Sequence, residues 1–120
     1  MNKNNKGSSL YFSIVVLGVI FGIALATSTL LIVQIRIARA TGNSVVALYA
    51  ADTGIEHALR IVRETGEHLE ETGVVEINGD YANYEVKTYS PGENNCTGSY
   101  FCVKSVGEFR GVRRAIETDF

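Results

Sequence analysis

Histidine and cysteine are scarce in this chain, which holds two of each. Their positions, His57, His68, Cys96 and Cys102, match none of the spacings that zinc sites use. A glycine-rich phosphate loop, a nucleophile elbow and a pair of catalytic carboxylates are also missing from the sequence. We therefore predict no metal, no cofactor and no catalytic residues, and hence a protein that is not an enzyme.

The chain has no excess of basic residues, with 11 Lys and Arg against 13 Asp and Glu. The formal net charge of the chain is -2 and the calculated isoelectric point is about 5.6. Proteins that bind nucleic acid depend on a basic surface to neutralise phosphates. The sequence therefore gives no indication of a nucleic-acid partner.

Charge of either sign is absent from Leu10 to Val33, a run of 24 residues. A helix of this length covers roughly 36 Å, which exceeds the ~30 Å hydrocarbon core of a bilayer. The alternative is a buried helix of a soluble domain, but the segment after Gly66 is too short to surround so long an apolar rod. The run therefore predicts a membrane span. Its orientation stays open, because two basic residues lie on either side and the positive-inside rule does not decide.

Helix-forming residues continue beyond the span, and we predict one helix from near Ser9 to about Arg63. The first weak point is Thr41 to Ser44, where Gly42 and Asn43 permit a kink. An amphipathic stripe follows at helical spacing, made of Val45, Leu48, Asp52, Ile55, Leu59 and Val62.

The stripe has two interpretations, a helix that packs on its own small domain and a seam for a partner coiled coil. It has fewer heptads than a coiled coil normally needs, which favours the first interpretation. Asp52 is its only polar member, and a carboxylate in an apolar stripe needs a partner or water. Arg39, Arg60, Arg63 or a neighbouring chain are the candidates.

After Gly66 the pattern changes from helical to alternating, which predicts strands. Asn78-Gly79 is a strong hairpin signal, and Arg110-Gly111 marks a second hairpin. The acidic stretch from Glu64 to Glu71 reads as a solvated linker. The expected strands are Val74–Ile77, Tyr81–Tyr89, Tyr100–Val106 and Val112–Phe120. The predicted fold class is therefore α+β, a long helix with a small four-stranded antiparallel sheet.

A sheet of this size buries too little apolar surface to be stable alone. We therefore expect it to pack on the C-terminal half of the helix, on the face of Leu48, Ile55, Leu59 and Val62. Cys96 and Cys102 are predicted to form a disulfide that stabilises it, which places this part outside the cytoplasm. Two free buried thiols are the alternative.

Four features occur together in this chain: a short polar leader ending in Gly7, an apolar helix directly after it, an amphipathic continuation and a small sheet with two cysteines. In this combination the chain resembles a type IV pilin or a related pseudopilin. The segment from Ala47 to Glu56, Ala-Leu-Tyr-Ala-Ala-Asp-Thr-Gly-Ile-Glu, is similar to the Ala-Ala-Glu-Ala-Gly-Leu-like segment of minor pilins of the PilX type. Residues 3–63 carry most of the resemblance.

The resemblance implies that a prepilin peptidase cuts between Gly7 and Ser8, which leaves Ser8 as the first residue and a possible site of N-methylation. It divides the chain into a leader (1–7), a transmembrane and filament-core helix (8–40), an amphipathic helix (41–65) and a β head (66–120). Major pilins usually begin with Phe, carry Glu at the fifth mature position and have Pro near mature position 22. This chain has Ser8, Phe12 and Thr29 there.

The implied function is assembly into a pilus or pseudopilus, and the missing acid favours a minor subunit at the tip or at initiation. Ser8, Phe12 and Asp52 are the residues expected to matter in assembly. The implied partners are other pilin subunits, prepilin peptidase, the inner-membrane assembly machinery and, before assembly, membrane lipid. The implied location is the cell membrane first, then an extracellular pilus or a periplasmic pseudopilus. The alternative is a single-pass anchored adhesin or sensor domain that does not polymerise.

Overall fold

A single long helix dominates the N-terminal half of the computed structural model, which describes residues 6–120 and the side chains of residues 8–120. Helix α1 covers Lys6–Thr65 and continues through Thr41 to Ser44, where the sequence permits a kink. The predicted helix from Ser9 to Arg63 is therefore confirmed. The chain divides into two compact units after Ala38. Residues 1–5 of the predicted leader (1–7) lie outside the described part of the chain.

Four strands follow the helix and form one antiparallel sheet in the order of the sequence, β1-β2-β3-β4. Their bounds are β1 Glu70–Ile77, β2 Asp80–Tyr89, β3 Cys102–Phe109 and β4 Val112–Asp119. With the helix that packs on one face of the sheet, this is the predicted α+β architecture.

Both predicted hairpin turns are present. Asn78 and Gly79 have φ values of 54° and 84°, and Arg110 and Gly111 have 47° and 79°. Two consecutive residues with positive φ are typical of a type I′ turn, whose twist matches that of the strands on either side. The turns thereby fix the register, with Ile77 opposite Asp80 and Phe109 opposite Val112.

Strand β1 is four residues longer at its start than predicted, so the interpretation of Glu70 and Glu71 as linker is wrong. The acidic residues are accommodated because the neighbouring strand supplies a cation. Glu70 is the register partner of Lys87, and its Oε1 lies 2.6 Å from Lys87 Nζ. Glu70 and then Glu85 raise the pKa of Lys87 above its ordinary value. This pair is a polar cross-strand contact that a search for alternating apolar residues does not detect.

Strand β3 begins and ends later than predicted. Phe109 is buried and pairs with Val112, so the ladder runs up to the turn. Gly107 weakens the strand signal in the sequence, yet in the structure its missing side chain is what admits α1. A Cβ on Gly107 would clash with the carbonyl oxygen of Ala47 and lie 2.7 Å from Ala51 N.

The face of α1 that packs on the sheet is built from small residues, which differs from the prediction. Ile55 is buried and Leu59 packs against the core as expected, but Leu48 is 47% exposed. The buried helical positions are Ala47, Ala50, Ala51, Gly54, Ile55 and Ala58. Small side chains let the helix and sheet backbones approach, so the large residues of the predicted stripe lie only partly in the contact.

The sheet presents the predicted face to the helix. Ala82, Tyr84, Val86 and Thr88 of β2 are all buried, and Val103 and Ser105 of β3 lie beside them. The Tyr84 ring fits between two glycines, because a Cβ on Gly54 of α1 or on Gly73 of β1 would clash with it.

Candidate assembly surface

The first part of α1 is an uncovered apolar rod. Every side chain from residue 8 to residue 38 is exposed, and the most apolar stretch of 18 residues in the helix has a mean hydropathy of 2.5 and is not buried. By length and composition α1 can cross a membrane. The large exposed hydrophobic side chains of this segment include Phe12, Phe21, Leu25, Leu30, Ile32 and Ile35.

Four hydroxyl side chains within this rod donate hydrogen bonds to carbonyl groups of the helix itself. Ser13 Oγ donates to the carbonyl of Ser9 at 2.9 Å, and Ser28 Oγ donates to that of Ala24 at 2.9 Å. Thr27 and Thr29 make the corresponding bonds to carbonyls three residues earlier. Such bonds satisfy the hydroxyl without a partner from outside the helix, which suits an environment without water.

The predicted cleavage and assembly residues at the N-terminus lie in the first turns of α1. Gly7 and Ser8 are helical, and Ser8 is exposed. No acidic residue occurs in the first turn. Phe12 is 69% exposed and lies on one apolar helix face with Ser13, Val16, Leu17 and Ile20. Phe12 therefore adds apolar surface to the first turns of the helix.

Asp52 lies far along the same helix, at the rim of an open hollow of about 350 Å³. We call this hollow the acidic hollow; it is lined by Val45, Leu48, Tyr49, Asp52 and Ile116. Among the residues that the structure describes, Asp52 has neither an ion pair nor a hydrogen bond, and the candidate partners Arg39, Arg60 and Arg63 do not pair with it. The carboxylate is exposed, so water satisfies it in the isolated chain.

The remaining walls of the hollow were not recognised as a site from the sequence. Tyr49 is 63% exposed, and Ile116 reaches the hollow from β4. Val45, Leu48 and Asp52 follow one another at helical spacing, and this spacing was the available signal. They were predicted to belong to the sheet-facing stripe. Alanines and glycine hold most of the sheet-facing positions, so Val45 and Leu48 of the stripe remain exposed beside them, whereas Ile55 is buried.

The head is stabilised at the end of the sheet by a disulfide. Cys96 and Cys102 are bonded as predicted, with their Cα atoms 5.6 Å apart. The loop between them is attached to the end of the chain, because Tyr100 N donates to the Phe120 carbonyl at 2.8 Å. The rings of Phe101 and Phe120 stack with centroids 5.0 Å apart. This loop is therefore an ordered part of the head.

Several polar side chains on the sheet and on the helix segment packed against it form local pairs. His57 Nδ1 lies 3.6 Å from a carboxylate oxygen of Glu71, and His68 Nε2 lies 2.9 Å from Ser90 Oγ. Arg110 pairs with Asp80 at 2.7 Å. Within residues 6–120, no three His, Cys, Asp or Glu side chains are grouped so that they could hold a metal ion.

Comparison with models of protein families, with curated proteins and with solved structures finds no match to this chain. The resemblance to pilins therefore depends on the residues quoted above.

Proposed function

We propose that this chain is a structural subunit of a type IV pilus or pseudopilus. The observation that carries the proposal is the uncovered apolar rod of residues 8–38, which leads into the same helix on which a small disulfide-stabilised sheet is packed. In the cell membrane, lipid covers this surface. Once the segment leaves lipid, other apolar helices must cover it, since exposing so much apolar surface to water is unfavourable.

The chemistry of the rod supports exchange between these two environments. The hydroxyls of Ser13, Thr27, Ser28 and Thr29 are bonded within the helix, so these four groups need no partner in a filament core. The polar head remains outside, on the filament surface. In this proposal, prepilin peptidase removes residues 1–7, and the inner-membrane assembly machinery moves the mature chain from the membrane into contact with other pilin subunits.

Phe12 supports the proposal that this chain is a minor subunit, present in few copies in the filament. In pilin-like packing, a carboxylate at this position is expected to meet the N-terminal amine of a neighbour, and an unpaired buried charge is costly. A filament of this chain alone would leave each Ser8 amine without that partner. A subunit at the tip or at initiation, together with pilins that carry the acid, avoids this difficulty.

The experiment is mass spectrometry of sheared filaments from cells that produce this chain with its native partners. We expect peptides that begin at Ser8. Recovery of chains that retain Met1 in the filament fraction would contradict the processing step.

Phe12 is also the observation that favours the alternative, an anchored adhesin or sensor domain, because its lack of charge suits a helix that stays in lipid. The two functions are separated by the fraction in which the chain is found. An anchor remains in the membrane with residues 1–7 attached and is absent from the sheared filaments.

A further inference from the structure

The acidic hollow on α1 combines exposed apolar side chains with a carboxylate that has no cation among the described residues. Val45 and Leu48 are each 47% exposed, and Tyr49 is more exposed still. These side chains and Asp52 surround one open depression. An apolar surface with a cation in the matching position would cover the hollow and neutralise the carboxylate together.

The same helix presents a surface of this kind thirteen residues earlier. Ile32, Ile35 and Arg39 follow one another at steps of three and four, as do Val45, Leu48 and Asp52. Residues at this spacing share one helix face. Ile32 and Ile35 are both exposed, and Arg39 has no ion pair among the described residues.

We propose that two copies of this chain contact each other through parallel helices staggered by thirteen residues, a refinement that rests on the proposed filament function. In this register Arg39 of one copy pairs with Asp52 of the other, while Ile32 and Ile35 cover Val45 and Leu48. Thirteen residues of helix correspond to a stagger of roughly 20 Å.

The same register also provides for the second arginine after the span. Arg36 lies level with Tyr49 of the other copy, and an arginine guanidinium over a tyrosine ring is a favourable cation–π contact. Both cations that follow the apolar run thus receive a partner. In each of these contacts an arginine that borders the apolar segment gains a partner from the other copy.

Other registers fit less well. A stagger of sixteen residues brings Arg36 to Asp52, but it sets Arg39 level with Ile55, which is buried under the sheet. It also sets the hydroxyl of Thr29 level with Val45. Without a stagger, Asp52 meets Asp52, which is repulsive. At a stagger of thirteen residues, both arginines and both isoleucines of one copy lie level with a suitable partner on the other copy.

The stagger assigns the contact to the assembled state. Two copies that both span a flat membrane have their apolar runs at the same height, so neither can shift by roughly 20 Å without drawing its span out of the hydrocarbon core. A filament stacks its subunits along an axis and allows the shift. The contact joins two copies and does not require this chain to form the length of the filament.

Charge reversal is the first test, with the full chain expressed beside its native partners. We expect Asp52→Arg to lower the amount of this chain in sheared filaments at least fivefold, and Arg39→Asp to do the same. The double variant D52R/R39D restores the opposite charges in each contact and should return the amount to within twofold of the unmodified chain. A double variant that is as depleted as the single ones would overturn the register.

Cysteine cross-linking is the second test. One tagged copy carries Asp52→Cys and a second, differently tagged copy carries Arg39→Cys; Cys96 and Cys102 are already bonded to each other. Mild oxidation should join the two copies in sheared filaments, with at least a fivefold higher yield than the control pair of Glu56→Cys and Arg39→Cys. Cells unable to assemble filaments should give no such product.

The outcomes separate the register from the function. If the uncross-linked chain is abundant in filaments but both cysteine pairs react equally, the register is wrong and the filament function stands. If the chain never reaches the filament fraction, the proposed function fails and the register fails with it. An equal yield of dimer in cells that cannot assemble filaments would place the contact in the membrane and overturn the proposal.

Discussion

Gly107 shows at the scale of one residue why the head has its shape. Its missing side chain lets β3 lie directly against the backbone of α1 at Ala47 and Ala51. Gly54 on the helix likewise leaves space for the side chains of Tyr84 and Ser105. Interiors this closely packed tolerate added volume poorly, so these glycines limit what the head can accept.

We expect Gly107→Ala to lower the free energy of unfolding by about 2 kcal/mol, because the new methyl group must displace backbone atoms of α1. The measurement is urea unfolding of the full chain in detergent, followed by near-ultraviolet circular dichroism of the tyrosines. Gly42→Ala is the matched control. A Cβ there meets no atom within 4 Å, and alanine favours a helix, so this variant should be as stable or more stable by up to ~1 kcal/mol. Equal destabilisation by both changes would contradict the close approach.

The disulfide gives a second prediction at this scale. Replacing Cys96 and Cys102 together with alanine should lower the free energy of unfolding by roughly 2 kcal/mol, the effect expected for opening a short loop. The same urea titration measures it. Thiol labelling of the folded, unmodified chain should detect no free cysteine, and labelling of two thiols per chain would show that the bond is not formed.

At the scale of the elements, α1 uses different faces for different purposes. Alanine and glycine face the sheet, whereas Val45, Leu48 and Tyr49 remain exposed beside it. Stability and assembly should therefore depend on different residues of one helix.

This separation can be tested with two leucines. Leu59→Ala should lower the free energy of head unfolding by about 2 kcal/mol, since Leu59 packs against the core cluster. Leu48→Ala should change it by less than about 0.5 kcal/mol, because that side chain is nearly half exposed. Urea unfolding of both variants provides the comparison. A larger loss from Leu48→Ala than from Leu59→Ala would restore the sheet-facing stripe that the sequence predicts.

The sequence predicted those elements whose signal is local. The Asn78-Gly79 turn and the uncharged helical run depend on nearby residues alone, and both are present. The face of α1 that meets the sheet could not be found in this way, because a search for apolar periodicity favours large side chains, whereas close packing of helix and sheet selects small ones. The acidic hollow was missed for the same reason, since Val45, Leu48 and Asp52 were assigned to the stripe that makes this contact.

Strand β1 illustrates a second limit. Its first residues are acidic and carry no apolar alternation, yet they pair with β2, where Lys87 lies opposite Glu70 and neutralises it. A partner that lies seventeen residues away in the sequence cannot be identified from the residues next to the strand.

For the whole molecule, the proposed filament function and the apolar Phe12 together predict a low copy number. We expect this chain to be a small fraction of purified filaments, well below the subunit that forms their length. Quantitative mass spectrometry of the sheared fraction measures the ratio. A filament composed mostly of this chain would rule out the low-copy place while leaving the filament function intact.

The Phe12→Glu variant complements this measurement. It restores the carboxylate that a neighbouring amine is expected to meet, so it should raise the share of this chain in filaments severalfold. Phe12→Leu, which keeps the position apolar, should leave the share unchanged. Equal shares for the two variants would show that the acid has no part in its copy number.

The hydroxyls that bond within α1 have a consequence for the reverse process. Ser13, Thr27, Ser28 and Thr29 form their hydrogen bonds inside the helix in the isolated chain. Withdrawing the segment from a filament therefore breaks none of these bonds, and returning it to lipid requires no new ones. In the proposed filament, the segment can therefore pass between lipid and the filament core with these four hydrogen bonds intact, while its contacts with neighbouring subunits are exchanged.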